Sequence, residues 1–462
     1  MTEIALLGFF AVMLLLGLKR PFLWVLTYIY VDVLAPQKIG WAIMPHIPMS
    51  LIAFAAAFIG WLVFDRKEGT RFTFRQGLLL ALLVYCGWTT MGALFPEDAL
   101  AKWDWVWKSL VFAIFLPLTL RTRLRIEAAA LFMVLSAGAI IISGGIKTIA
   151  GGGGYATLAL FVNDNSGLYE GSTLSMVAIA LIPLILWITR NGTIYPKSRW
   201  TLLFAAALIF ACLLIPIGTQ TRTGLICIGV LGVLMLRSVK YRFLYMGGAA
   251  LLLALAVPFL PQSYLERMST IENAEGDESA STRLAVWRWT LENSKDHPLG
   301  GGFDAYRANS FTYHKRVTVG EGNNQSVQTV EITDEARAYH SAYFEMLGEQ
   351  GWPGLFLWLW LQLLGLWQME RIRRRLGKSE DAGDKAWFSL ATALQQGQVI
   401  YLVGALFVGI AFQSFIYMLI ALQIALANIV RRQEKTQREE ERKARLARNR
   451  ELSAGSLEEV PA

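Results

Sequence analysis

The feature that most constrains this chain is a succession of apolar runs about twenty residues long, joined by short connections rich in lysine and arginine. A bilayer core of about 30 Å takes about 20 apolar residues per helix. A helix also satisfies its own backbone N–H and C=O groups where no water can. Candidate spans fall at 2–18, 21–35, 47–64, 76–95, 105–120, 126–149, 172–189, 200–217, 221–237, 241–260, 352–368, 386–408 and 412–430. The first two are short, so the chain reads as an all-α polytopic membrane protein of about 12 (12–13) transmembrane helices, with the side of the N-terminus open. The first run follows only Glu3, without a basic leader or a small-residue cleavage site, which predicts a retained span. One polar interruption of domain size remains, residues 262–351, and it is expected to be partly helical.

Charge sets the orientation. The net charge is +8 and 17% of residues are charged, well below the quarter usual in soluble domains. The distribution of that charge excludes a nucleic-acid surface. Of 43 Lys and Arg, 30 lie at 19–20, 65–75, 121–125, 190–199, 237–242, 369–385 and from 431 onward. Basic residues collect on the cytoplasmic side of short connections. These segments, with the tail 431–462, are therefore expected inside, and the loop 262–351 outside. Trp103, Trp105 and Trp107 cluster where the 105–120 span would meet an interface. Cys86, Cys212 and Cys227 all lie in apolar runs without metal-ligand spacing, and read as buried thiols.

Three residues stand out as chemistry. Arg222 opens a span on the expected outside face, in Thr221-Arg222-Thr223-Gly224. Free backbone N–H groups and a guanidinium fork there would together favour an anion; the alternative is an arginine snorkelling to the interface. Arg283 precedes an amphipathic stretch from Leu284 to Leu291, which His297-Pro298 should end, and by itself reads as a solvated helix-face residue. His340 lies among aromatics a dozen residues before a span. It reads as packed structure or, since its intrinsic pKa suits the task, as a general base. No Asp-x-Asp occurs, no histidines pair at metal-ligand spacing, and the loop holds fourteen acids against eight bases. No metal or other cofactor is therefore expected. A transporter would instead need ionisable residues within the spans; Lys147, Asp32 and Lys108 are the few candidates.

These segments together resemble the O-antigen ligase and polymerase superfamily of bacterial envelope glycosyltransferases. The resemblance covers about 200–428 and rests on Thr221-Arg222-Thr223-Gly224, on Arg283-x-x-x-Trp287 running into His297-Pro298-Leu299-Gly300, and on His340-Ser341 leading to Gly348-Glu349-x-Gly351. The N-terminal part is similar to the O-glycosylation ligases associated with exosortase systems. One departure is Glu170-Gly171-Ser172, where family members often carry an Asn-rich element.

The resemblance implies a GT-C-like glycosyltransferase architecture and an undecaprenyl-diphosphate-linked glycan donor. The acceptor would be a hydroxyl of lipid A core, or of a protein, at the periplasmic face of the inner membrane. Arg222 and Arg283 would grip the diphosphate, and His340 would deprotonate the acceptor. A polymerase uses the same donor and the same motifs. The chain is expected to divide into an N-terminal transmembrane region (1–199), the helices carrying Arg222 (200–261), the loop with Arg283 and His340 (262–351), C-terminal spans (352–430) and a charged tail (431–462).

Overall fold

The computed structural model describes residues 2–65, 67, 69–150, 167–237, 241–244, 247–248, 278–319 and 326–458. Most of the candidate span at 241–260 falls outside them, as does the first part of the loop.

The described residues form helices α1 (Thr2–Lys19), α2 (Phe22–Leu34), α3 (Met49–Phe64), α4 (Phe74–Met91), α5 (Pro96–Thr119), α6 (Arg123–Ala150), α7 (Gly171–Asn191), α8 (Arg199–Gly218), α9 (Arg222–Leu236), α10 (Glu278–Asp296), α11 (Ala342–Leu376), α12 (Ala382–Gly404) and α13 (Ser414–Glu458). Five of them, α1, α6, α7, α8 and α13, are long and apolar enough to cross a bilayer; α3 and α9 are shorter apolar helices. The chain is a multi-pass membrane protein, and among the described residues the one sheet is a two-stranded hairpin. Helix α2, at 13 residues, spans only about 20 Å. It stops at Ala35, whose φ of 45° is left-handed.

A helix apolar on every side belongs in the centre of a bundle, and α7 is the example. Of its apolar window 83% is buried, against 17% for α1. It packs against α12, α8 and α9, while α13 closes against α5, α12 and α11. A buried polar chain ties four helices: Arg75 Nη2 donates to Gln423 Oε1 at 2.8 Å, Gln423 Nε2 to Gln398 Oε1 at 2.8 Å, and Gln398 Nε2 to Gln362 Oε1 at 2.7 Å. Arg75, counted by sequence with the polar connection 65–75, is thus a core residue at 3% exposure. The three cysteines are free and buried, as their apolar surroundings predict.

The polar loop holds a feature the sequence reading lacks. Ser310–Val319 and Ser326–Glu335 pair antiparallel as β1 and β2, with Ser310 opposite Glu335. Both strands are rich in Thr and Val, residues that fit a pleated surface better than a helix. Helix α11 begins within the loop, ahead of the predicted span, and bends at Gly351, whose φ of 63° lies in the left-handed region. The tail, left by sequence as helix or coil, continues α13 to Glu458.

Candidate active site

The start of α9 is fixed by a close crossing. A Cβ on Gly224 would lie 2.7 Å from Pro216 Cβ and 2.9 Å from Ser175 Cβ, so only glycine lets α9 meet α8 and α7 there. Thr221 Oγ1 donates to Ser175 Oγ at 2.9 Å, and Ser175 Oγ lies 2.7 Å from Thr219 Oγ1. Gln220, one residue earlier, is buried with φ of 51°. Arg222, half-buried, is therefore held as the first residue of α9 beside the N-terminus of α7.

That N-terminus carries Glu170. Its carboxylate accepts from Ser172 N at 2.9 Å and from Thr173 N at 2.6 Å, capping α7, and takes a third bond from Thr173 Oγ1 at 2.8 Å. A carboxylate in this position meets the positive end of the helix dipole.

His340 sits in the turn before α11 with φ of 47°, unusual for a residue bearing a side chain. Its imidazole is exposed at the rim, yet partial withdrawal from water lowers its pKa below 6.5. The positive charges of Arg283 and Arg337 act in the same direction and Glu170 acts against them. Loop residues 283 and 340 and the cap of α7 thus share one electrostatic neighbourhood. Arg222 reaches the same end of the bundle through α7, since Gly171 packs against Thr219 and Thr221.

Two devices hold His340 there. Trp287 of α10 donates from Nε1 to Tyr339 O at 2.9 Å and stacks on Phe344 with centroids 4.8 Å apart and planes 6° off parallel. The backbone before it, Leu299-Gly300, crosses α11 at Gly351 so closely that a Cβ on Gly300 would come 2.7 Å from Gly351 N. Gly301 N and Gly302 N donate to Gly348 O and Glu349 O at 3.0 and 2.9 Å, and Trp352 N to Pro298 O at 3.0 Å.

Beneath this crossing lies a buried charge cluster that the sequence reading does not assign. Lys102 Nζ of α5 donates to Glu345 Oε1 and Glu349 Oε1, both at 2.7 Å, with Asp304 Oδ1 at 3.8 Å. Glu345 Oε2 also accepts from Ala411 N at 2.9 Å. Burial, helped by Glu345 and Asp304 and opposed by Lys102, pushes the Glu349 carboxyl up to about 8. Its Oε2 is buried without a hydrogen-bond partner among the described residues. The available sequence signal is the i, i+4 spacing of Glu345 and Glu349 at the opening of an apolar helix, which puts both on one face. Lys102, 243 residues upstream of Glu345, gives no such cue. Glu170 appears in the sequence only as a departure from an Asn-rich element.

Among the described residues no group of three or more His, Cys, Asp and Glu is arranged to hold a metal ion. The Lys102 ammonium sits among the three clustered carboxylates instead.

Residues 1–193 match a family of unknown function (DUF5935). A search of curated proteins finds no match. The segment bearing the α9 start, Arg283, the glycine crossing and His340 is another matter. Residues 207–359, which carry all of these, match the O-antigen ligase family, and that match supports the O-antigen ligase superfamily.

Proposed function

We propose that this chain transfers a glycan from undecaprenyl diphosphate to an acceptor hydroxyl, most simply of lipid A core, at the periplasmic face of the inner membrane. About twelve spans would carry the loop 262–351 outside and the tail inside. The observation that carries this reading is the meeting of Arg283, His340 and the N-terminus of α7 at the bundle end where α9 begins with Arg222. All three site residues lie in the segment that matches the ligase family.

The chemistry follows from the residue types. His340, neutral at physiological pH because its pKa is held below 6.5, takes the proton of the acceptor hydroxyl. The hydroxyl oxygen bonds to the anomeric carbon as the bond from that carbon to the diphosphate oxygen breaks. The electron pair leaves with undecaprenyl diphosphate, whose added charge Arg222 and Arg283 neutralise through guanidinium forks.

Transfer of lipid-linked glycan in isolated membranes tests this. His340→Ala should lower the rate about 10²- to 10⁴-fold, and Arg222→Gln or Arg283→Gln about 10²- to 10³-fold. Full activity in a stable His340→Ala protein would end the general-base role. Chains lengthened on the lipid carrier, rather than glycan moved to lipid A core, would make the protein a polymerase.

A further inference from the structure

The opposite end of the bundle carries a second concave, charged feature that glycan transfer does not use. Helix α13 is apolar and buried up to Val430, then changes within one residue to Arg431-Arg432. Its continuation is anchored. Arg432 Nη2 donates to Arg121 O at 2.6 Å, and Glu434 pairs with Arg375 at the far end of α11. Between this helix and the connection that precedes α4 lies a cleft of about 600 Å³.

Its walls bear Arg71, Arg431, Arg432, Lys435, Arg438 and Arg442 against two acids, Glu434 and Glu439. Glu434 is already engaged by Arg375, and Glu439 lies 3.7 Å from Lys435. Arg71, Arg431, Arg438 and Arg442 make no ion pair among the described residues. Arg432 Nε is buried and has no hydrogen-bond partner among them. Burial, and then the like charge of Arg121, lowers the Arg432 pKa. A bound anion would relieve that repulsion.

We propose that this cleft binds phosphate-bearing anions, and that its occupant is the headgroup of an anionic membrane lipid. Guanidinium groups suit phosphate because their N–H forks match its oxygens. The level favours a lipid over a soluble anion. The cleft begins at Asn428, inside the last apolar turn of α13, so its floor lies where acyl chains give way to headgroups. Basic residues clustered just beyond a membrane-spanning helix are drawn to anionic lipid headgroups. The inference is independent of glycan transfer, because every residue it uses is remote from His340.

The test uses the full chain in nanodiscs made from equal parts phosphatidylglycerol and phosphatidylcholine. Lipid retained on the protein after extraction is read by native mass spectrometry. Phosphatidylglycerol should be retained preferentially. Each charge removed in the series Arg431→Gln, Arg438→Gln, Arg442→Gln should lower that preference about fivefold. The matching Arg→Lys triple variant should keep most of it and serves as the folding control. Equal retention of both lipids, or preference unchanged in the triple Gln variant, would overturn the proposal. Displacement of the lipid by millimolar inorganic phosphate, or by a soluble polyanion such as heparin, would overturn the lipid assignment.

Discussion

At the scale of single residues, the site is governed by where charge is withdrawn from water. His340 has its pKa lowered, so its basic form persists on acidification to below pH 6.5 and is lost only as pH falls through that depressed value. With four histidines in the chain, NMR titration of labelled imidazoles can follow it directly. Glu170→Gln should move its midpoint further down, and Arg283→Gln should move it up. A midpoint indifferent to both would mean that the electrostatic neighbourhood is wrongly drawn. Glu349 makes the opposite case. Its carboxyl is raised to about 8, so its contribution to stability is complete below the unfolded value near 4.5 and is lost as pH rises through about 8. Glu349→Gln, which is neutral at every pH, should flatten the fall in unfolding temperature between pH 6 and 9. Lys102→Met, which strands the carboxylates, should cost about 3–5 kcal/mol. Thermal unfolding in detergent across pH reads both. Arg222 stands out in sequence as a cation at a helix start, whereas Arg283 and His340 stand out only through the family resemblance. Lys102 does not, because nothing local marks a lysine whose partners lie 200 residues away.

At the scale of elements, α10 acts as a bracket. Its Trp287 touches both the residue before His340 and the helix after it. Trp287→Ala removes the stack and the hydrogen bond together. Loss of a positioning contact of this kind should lower transfer about 10²-fold, with a smaller change in thermal stability. Trp287→Phe, which keeps the stack alone, should fall between. A variant that loses stability in proportion to activity would reduce Trp287 to packing. The amphipathic stretch that forms α10 is visible in sequence from its spacing, and observation extends it to Glu278–Asp296. The β1–β2 hairpin is harder to read, because the alternation of Phe311, Tyr313, Val317 and Val319 is interrupted by Lys315, and that of Val330 and Ile332 is flanked by Gln328 and Asp334. The bend at Gly351 is likewise hidden, since the apolar pattern begins after it while the helix begins before.

At the scale of the whole molecule, the bundle separates two kinds of polar surface, with α10, the hairpin and His340 at one end and the arginine cleft at the other. Apolar run length and basic-residue bias make the multi-pass fold legible, because both report on the solvent rather than on any partner. The order in which helices pack is not legible from composition, since α7 and α1 are comparably apolar yet lie at the centre and the edge. Orientation is directly measurable, because all three native cysteines are buried. Thr333→Cys and Lys443→Cys, both at exposed positions, place single reporters at opposite ends. A membrane-impermeant maleimide applied to spheroplasts should label the first at least tenfold faster than the second. The reverse order would invert the topology and remove the periplasmic assignment.

The backbone crossing of Gly300 and Gly351 bears on how this loop can vary. Two main chains in contact leave no room for an added side chain, and a change in length on either side would pull the ladder from Gly301 and Gly302 out of step. The hairpin from Ser310 to Glu335 leaves and returns beside Asn309 and Ala336, themselves joined by a hydrogen bond of 3.0 Å. Its length can therefore change without disturbing what lies beneath. Epitopes, fluorescent reporters and divergent natural insertions alike should be accepted at the far end of that hairpin and rejected at the glycines.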